Sequence, residues 1–145
     1  MPLVSVTRLR LRSLRHFPAF FWHARASRRQ AERAPGFLGG CLGVEPWRAF
    51  WTVTVWQGEG AMRAYRVSGA HQAAMPKLLD WCDEASYTHW EQADAAVPSF
   101  DQAHARLRQS GRLSKVRRPS AAHAAGRTAS DARPRAPKVL KRRSA

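Results

Sequence analysis

A chain of 145 residues with 44% hydrophobic residues is long enough for one domain with a sizeable core. Its 25 Lys and Arg against 10 Asp and Glu give a net charge of +15, which attracts any polyanion weakly and so argues poorly for a specific nucleic-acid partner. Residues 1–15 lack the continuous apolar core of a signal peptide and no apolar run spans a bilayer, so a soluble cytoplasmic protein without membrane insertion is expected.

In chain order, Leu3 to Leu11 alternates apolar and polar residues and predicts β1, with a slip in phase near Thr7-Arg8 that suggests a bulge or the strand's end. Ser13 to Arg33 predicts α1, with Phe20, Ala24, Ser27 and Ala31 as its inner stripe and Arg25, Arg28, Arg29 and Arg33 as its solvated side. Pro35-Gly36 stops it. Phe37 to Val44 is a glycine-rich strand in which Gly39, Gly40 and Gly43 let backbone or ligand approach closely. Glu45-Pro46-Trp47-Arg48 is the turn of a hairpin, and the β-branched and aromatic run Phe50-Trp51-Thr52-Val53-Thr54-Val55-Trp56 is the central strand.

Glu59 to Val67 has helical spacing, and a second helical piece from Ala70 bends at Pro76 and continues to Cys82, where Asp83-Glu84 closes it. Ser86 to Glu91 is the last strand. Ser99 with Gln102 forms a capping box that opens a short helix to Ser110, ended by Gly111. All six Trp and six Phe lie between Phe17 and Phe100, so the folded domain is placed at 1–123 and residues 124–145 are expected to be a disordered basic tail.

The order β-α-β-β-α-β specifies an α+β, ferredoxin-like antiparallel sheet with helices on one face. The other face, apolar in its turn, is expected to pack against a second copy, which gives a homodimer. Cys41 and Cys82 form no disulfide framework, and Cys82, Asp83, Glu84 and His89 fit no zinc spacing, so no metal is expected.

Trp56 at the end of the central strand, with Met62, Tyr65 and His71 on the helical segments after it, gathers around a pocket between sheet and helices. Phe20 and His23 on α1 and Trp51 on the central strand extend its aromatic wall for a small hydrophobic ligand. His71 is the candidate catalytic residue, as a proton donor or base. Plainer roles stand beside these: His71 near Ser68-Gly69 can serve the turn that restarts the helix, and the large aromatics can serve the core.

The Ala34-Pro35-Gly36-Phe37 helix stop, the strand ending Thr54-Val55-Trp56 and the succeeding Ser68-Gly69-Ala70-His71 resemble the dimeric α/β-barrel group typified by antibiotic biosynthesis monooxygenases. Ala74-Met75-Pro76, Trp81-Cys82-Asp83-Glu84-Ala85-Ser86, His89-Trp90 and Gly111-Arg112-Leu113-Ser114-Lys115-Val116 look like an uncharacterised bacterial family within it, more distantly similar to spheroidene monooxygenase and haem-degrading monooxygenases. In the haem-degrading members, a Trp at the end of the third strand ruffles the macrocycle and a His on the next helix ligates iron. Trp56 matches that Trp, and Met75 rather than His71 falls at the ligand position. The resemblance thus implies a monooxygenase-like protein with haem or no cofactor, against a non-catalytic dimeric binding module as the alternative.

Overall fold

The computed structural model describes residues 1–46 and 48–143, with Ala136 described by its backbone alone. The core elements are β1 (Leu3–Leu11), α1 (Phe17–Arg33), β2 (Phe37–Glu45), β3 (Ala49–Trp56), α2 (Glu59–Arg66), α3 (Gly69–Trp81) and β4 (Cys82–Glu91). After them come α4 (Phe100–Ser110), the short β5 (Arg112–Leu113), a single turn α5 (Ala121–Ala124) and β6 (Arg135–Leu140). The six strands form one sheet in the order β5-β4-β1-β3-β2-β6, antiparallel throughout. Its central four strands have the ferredoxin-like arrangement that the element order predicts.

Strand alternation divides the side chains between two faces. On one lie Val4, Val6, Trp51, Val53 and Val55, packed with Trp90 of β4 and with Ala103 and Leu107 of α4. The other face, beneath α1, α2 and α3, carries two separate clusters. One gathers Leu3, Phe37, Trp56 and Met62; the other gathers Leu11, Phe20 and Cys82.

Four expectations need correction. The face expected to await a second copy is closed from within the chain by α4 and by Ala129, leaving Val4, Val6, Val53 and Val55 with no exposed surface. The ground for a homodimer on that face is therefore gone. Gly43 makes the closure possible, since a Cβ there would lie 2.5 Å from the Phe100 ring and 2.9 Å from Pro134. The close approach anticipated at this glycine is thus to the chain's own α4 and C-terminal segment.

Residues 124–145 do not form a disordered tail over their described length. β6 pairs with the outer edge of β2, with Gly40 opposite Leu140 and Cys41 opposite Val139. Leu140, 3% exposed, joins the cluster around Trp56, while the backbone N–H of Arg143 donates to Glu32 O at 2.7 Å. A strand edge supplies main-chain hydrogen bonds whatever the side chains, so a charged, aromatic-free segment can still be ordered there.

The phase slip at Thr7-Arg8 is not a bulge: β1 pairs with β3 without a break from Leu3 to Arg10, and the irregularity with β4 falls between Arg10 and Leu11. The pattern looked broken because Arg8 is an inward charge. It is 3% exposed and is held by Glu45 Oε2 at 2.8 Å and Glu84 Oε1 at 2.8 Å. Glu45 also accepts from Trp51 Nε1 at 3.0 Å and from the Ser130 hydroxyl.

Nor do Asp83-Glu84 close α3. The helix runs through Pro76 to Trp81, and β4 starts at Cys82, with Asp83 and Glu84 inside the strand where they pair with Arg10 and Arg8. The hairpin turn includes Trp47, which lies outside the described residues. Its neighbour Arg48 takes a left-handed backbone, φ 75°, and its Nε donates to Leu11 O at 2.9 Å.

Candidate functional site

A cavity of about 510 Å³ lies between the sheet and the three helices α1, α2 and α3, bounded at its ends by the two clusters of that face. Its floor is a product of strand alternation: Ser5 and Thr7 on β1, and Thr52 and Thr54 on β3, face away from the valines beside them. Register then lines them up. Ser5 stands opposite Thr54 on one side and His89 on the other, and Thr7 stands opposite Thr52 and Tyr87. Two rows of three polar side chains thus cross the floor beneath a largely apolar roof of Phe20, Ala24, Ala31, Met62, Leu78 and Leu79.

Trp56 closes one end. Its ring is fully buried, its Nε1 donates to Thr54 Oγ1 at 2.9 Å, and it sits 5.3 Å from Phe37 and 5.0 Å from Tyr65. Tyr65 in turn lies 4.7 Å from the His71 ring, so an aromatic series runs from the core to the candidate catalytic residue. The Tyr65 hydroxyl donates to Ser27 O at 3.1 Å, and burial pushes its pKa far up, so the phenol stays neutral.

His71 is fixed by two hydrogen bonds. Its ring Nδ1 is 3.2 Å from Arg66 O, and because a carbonyl only accepts, Nδ1 carries the proton and Nε2 keeps the lone pair in the neutral ring. Its backbone N–H donates to Gln30 Oε1 at 2.9 Å. The same Gln30 side chain donates from Nε2 to Ser68 O at 2.8 Å and Tyr65 O at 3.2 Å, so one α1 residue pins the corner between α2 and α3. Gly69 permits that: its φ is 57°, and even a Cβ would approach Gln30 Cδ to 3.1 Å.

Burial lowers the His71 pKa and the Arg66 charge lowers it further, while the Arg66 carbonyl works the other way. His89 is lowered by burial and by the same Arg66. Both thiols are poor nucleophiles. Burial raises Cys41, and burial with Asp83 beside it raises Cys82 to about 12. Among the described residues, no group of three or more His, Cys, Asp or Glu is placed to hold a metal ion. No helix among them is long and apolar enough to cross a membrane.

Of the residues singled out from the sequence, His71, Trp56, Met62, Tyr65, Phe20, His23 and Met75 all line this cavity. Met75 does so while 41% exposed. Trp51 does not line it. It lies on the opposite face of the sheet, 5.9 Å from His104 and bonded to Glu45, because an odd-numbered position on β3 points the other way from Thr52 and Thr54. Residues missed from the sequence are Gln30, the floor residues Thr52 and Thr54, and Arg28, which was placed on the solvated side of α1 but lines the cavity. The floor was signalled by Ser5-x-Thr7 and Thr52-x-Thr54, two polar pairs at strand period within apolar strands.

No family model matches the chain, and no curated protein matches it in sequence. Solved structures do. Rv0793 from Mycobacterium tuberculosis aligns with a TM-score of 0.59 at 13% identity, over 66% of this chain and 99% of that one. A Nitrosomonas europaea protein provisionally named an antibiotic biosynthesis monooxygenase gives 0.57 at 14% identity, over 63% and 89%. SnoaB from Streptomyces nogalater, described as a cofactor-independent oxygenase, gives 0.51 at 18% identity, over 68% and 98%. The chain has the antibiotic biosynthesis monooxygenase-like fold, with a helical cavity built on its ferredoxin-like sheet.

Proposed function

We propose that the cavity binds a planar, largely apolar small molecule for monooxygenase-like chemistry, with His71 as the proton acceptor. The observation that carries this reading is the His71 tautomer. A ring whose Nδ1–H is held by a backbone carbonyl presents Nε2 as a base, in a cavity that lowers its pKa and so keeps it neutral near pH 7. The aromatic wall of Trp56 and Tyr65 supplies apolar burial, and the hydroxyl floor supplies acceptors and donors that orient polar substituents.

Haem is the cofactor that the resemblance leaves open, and the donors present fit it better through His71 than through Met75. An imidazole whose far N–H is tied to a carbonyl would be a well-oriented iron ligand, whereas Met75 is 41% exposed. When bound, haem would supply the redox centre for oxygen chemistry. The alternative is a binding module that holds the same ligand without turnover.

A homodimer, which the resemblance also implies, would have to form on a surface other than the α4-covered face. Oxygen uptake with 1,4-naphthohydroquinone, and with haemin plus a reductant, tests the reading in wild type and His71→Ala. Turnover that His71→Ala removes supports it. Saturable binding with no oxygen uptake in either assay leaves only the binding module.

A further inference from the structure

We propose that the molecule this cavity selects is an aromatic carboxylate, recognised by Arg28. The inference rests on the reading of the cavity as a ligand site and adds the ligand's charge. The cavity wall holds the cations Arg28, Arg66 and Lys115, and among the described residues it holds no Asp or Glu. None of the three forms an ion pair among those residues.

Arg28 is the distinctive one. Its Nε is buried and has no hydrogen-bond partner among the described residues, which is rare for a buried donor. The other arginines that turn inward are matched: Arg8 by Glu45 and Glu84, Arg10 by Asp83, and Arg48 by Leu11 O. The protein therefore satisfies its inward guanidiniums elsewhere and leaves the Arg28 side chain without an ion pair, among the described residues, at the cavity wall.

A guanidinium carries parallel N–H donors that match the two oxygens of a carboxylate, and that pairing is strong where water is excluded. The apolar roof and Trp56 would hold the ring system that carries the acid. The field of Arg66, which already disfavours the charged forms of His71 and His89, acts in the same sense, since an anion would offset it.

The test compares 2-naphthoate with its neutral counterpart 2-naphthalenemethanol, titrated by tryptophan fluorescence at physiological salt or above so that surface charge is screened. Wild type is expected to bind the acid roughly ten- to a hundredfold more tightly than the alcohol. In Arg28→Met the acid should fall to the level of the alcohol, with the alcohol unchanged and the thermal melt retained. Arg28→Lys should recover part of the preference. Arg25→Met, which removes the same charge from the exposed side of α1, should leave both affinities as they were.

The proposal is overturned if wild type binds acid and alcohol alike, or if Arg25→Met and Arg28→Met lose the acid equally. Alcohol bound without any preference for the acid sinks the carboxylate assignment alone. Binding of neither probe sinks the ligand-site reading, and this proposal with it.

Discussion

Trp56 and Thr54 satisfy each other on one face of β3: the indole N–H donates to the threonine hydroxyl at 2.9 Å, at the junction of cavity floor and end wall. Trp51, five residues earlier, does the corresponding thing on the opposite face, donating to Glu45 at 3.0 Å within the charged cluster around Arg8. The two tryptophans of one strand therefore serve different ends.

Their substitution by Phe separates binding from stability. Trp51→Phe leaves a buried carboxylate one donor short and should destabilise by about 1.5–3 kcal/mol with ligand affinity unchanged. Trp56→Phe loses a neutral hydrogen bond, about 0.5–1.5 kcal/mol, and should weaken binding of an aromatic probe several-fold. Denaturant melts and fluorescence titrations of both variants check this; equal loss of affinity would show that the faces are not independent.

The Arg8 cluster sets the acid limit of the fold. Burial opposes ionisation of Glu45, but hydrogen bonds from Arg8, Ser130 and Trp51 outweigh it and hold the carboxyl below its ordinary 4.5; Glu84 is lowered in the same way by Arg8 and Ser120. With folded pKa values below unfolded ones, the unfolded chain takes up protons first, so this stability is present above about 4.5 and is lost as pH falls through the folded values. Arg8→Ala should cost about 3–5 kcal/mol at pH 7, because it removes the cation that Glu45 and Glu84 share in a covered site, and should flatten the acid limb of a stability–pH curve.

His71 has the same sign of linkage, in a higher pH range. Burial and Arg66 hold its folded pKa below 6.5, so as pH falls through 6.5 the unfolded chain protonates and the folded ring does not, and stability drops. Proton-acceptor function should stay flat from pH 8 down through 6.5 and fail only below it. Histidine NMR titration reads this directly, and Gln30→Ala, which unties the His71 backbone, should bring the value back toward 6.5.

The C-terminal strand is structural. Leu140 is 3% exposed and lines the cavity beside Trp56, so Leu140→Ala should cost about 2–5 kcal/mol. Thermal unfolding measures it, and a change below about 0.5 kcal/mol would mean that β6 adds nothing to the packing.

The sequence is legible where its signal is local. Phe50–Trp56 announces a strand by composition, and Trp56, Met62, Tyr65 and His71 fall together because they flank one strand-to-helix crossing. The Ser5–Thr54 and Thr7–Thr52 pairs needed the register between β1 and β3, which no single stretch contains. Arg28 lies at one edge of the α1 stripe, where helical periodicity does not tell a cavity wall from solvent, and Gln30 at the other edge braces the corner between α2 and α3. α4 over the second face depends on Gly43 meeting Phe100, a contact across 57 positions, and β6 depends on an edge that only the folded sheet creates.

The three methionines offer the most direct measurement of the cavity as a ligand site. Met62 and Met75 line it and Met1 does not, so ¹³C-methyl spectra carry an internal reference. Titration with 2-naphthol is predicted to shift the Met62 and Met75 signals saturably, with one ligand per chain, while Met1 stays fixed. Three signals moving in parallel, or none moving, would contradict a ligand site between the sheet and α1, α2 and α3.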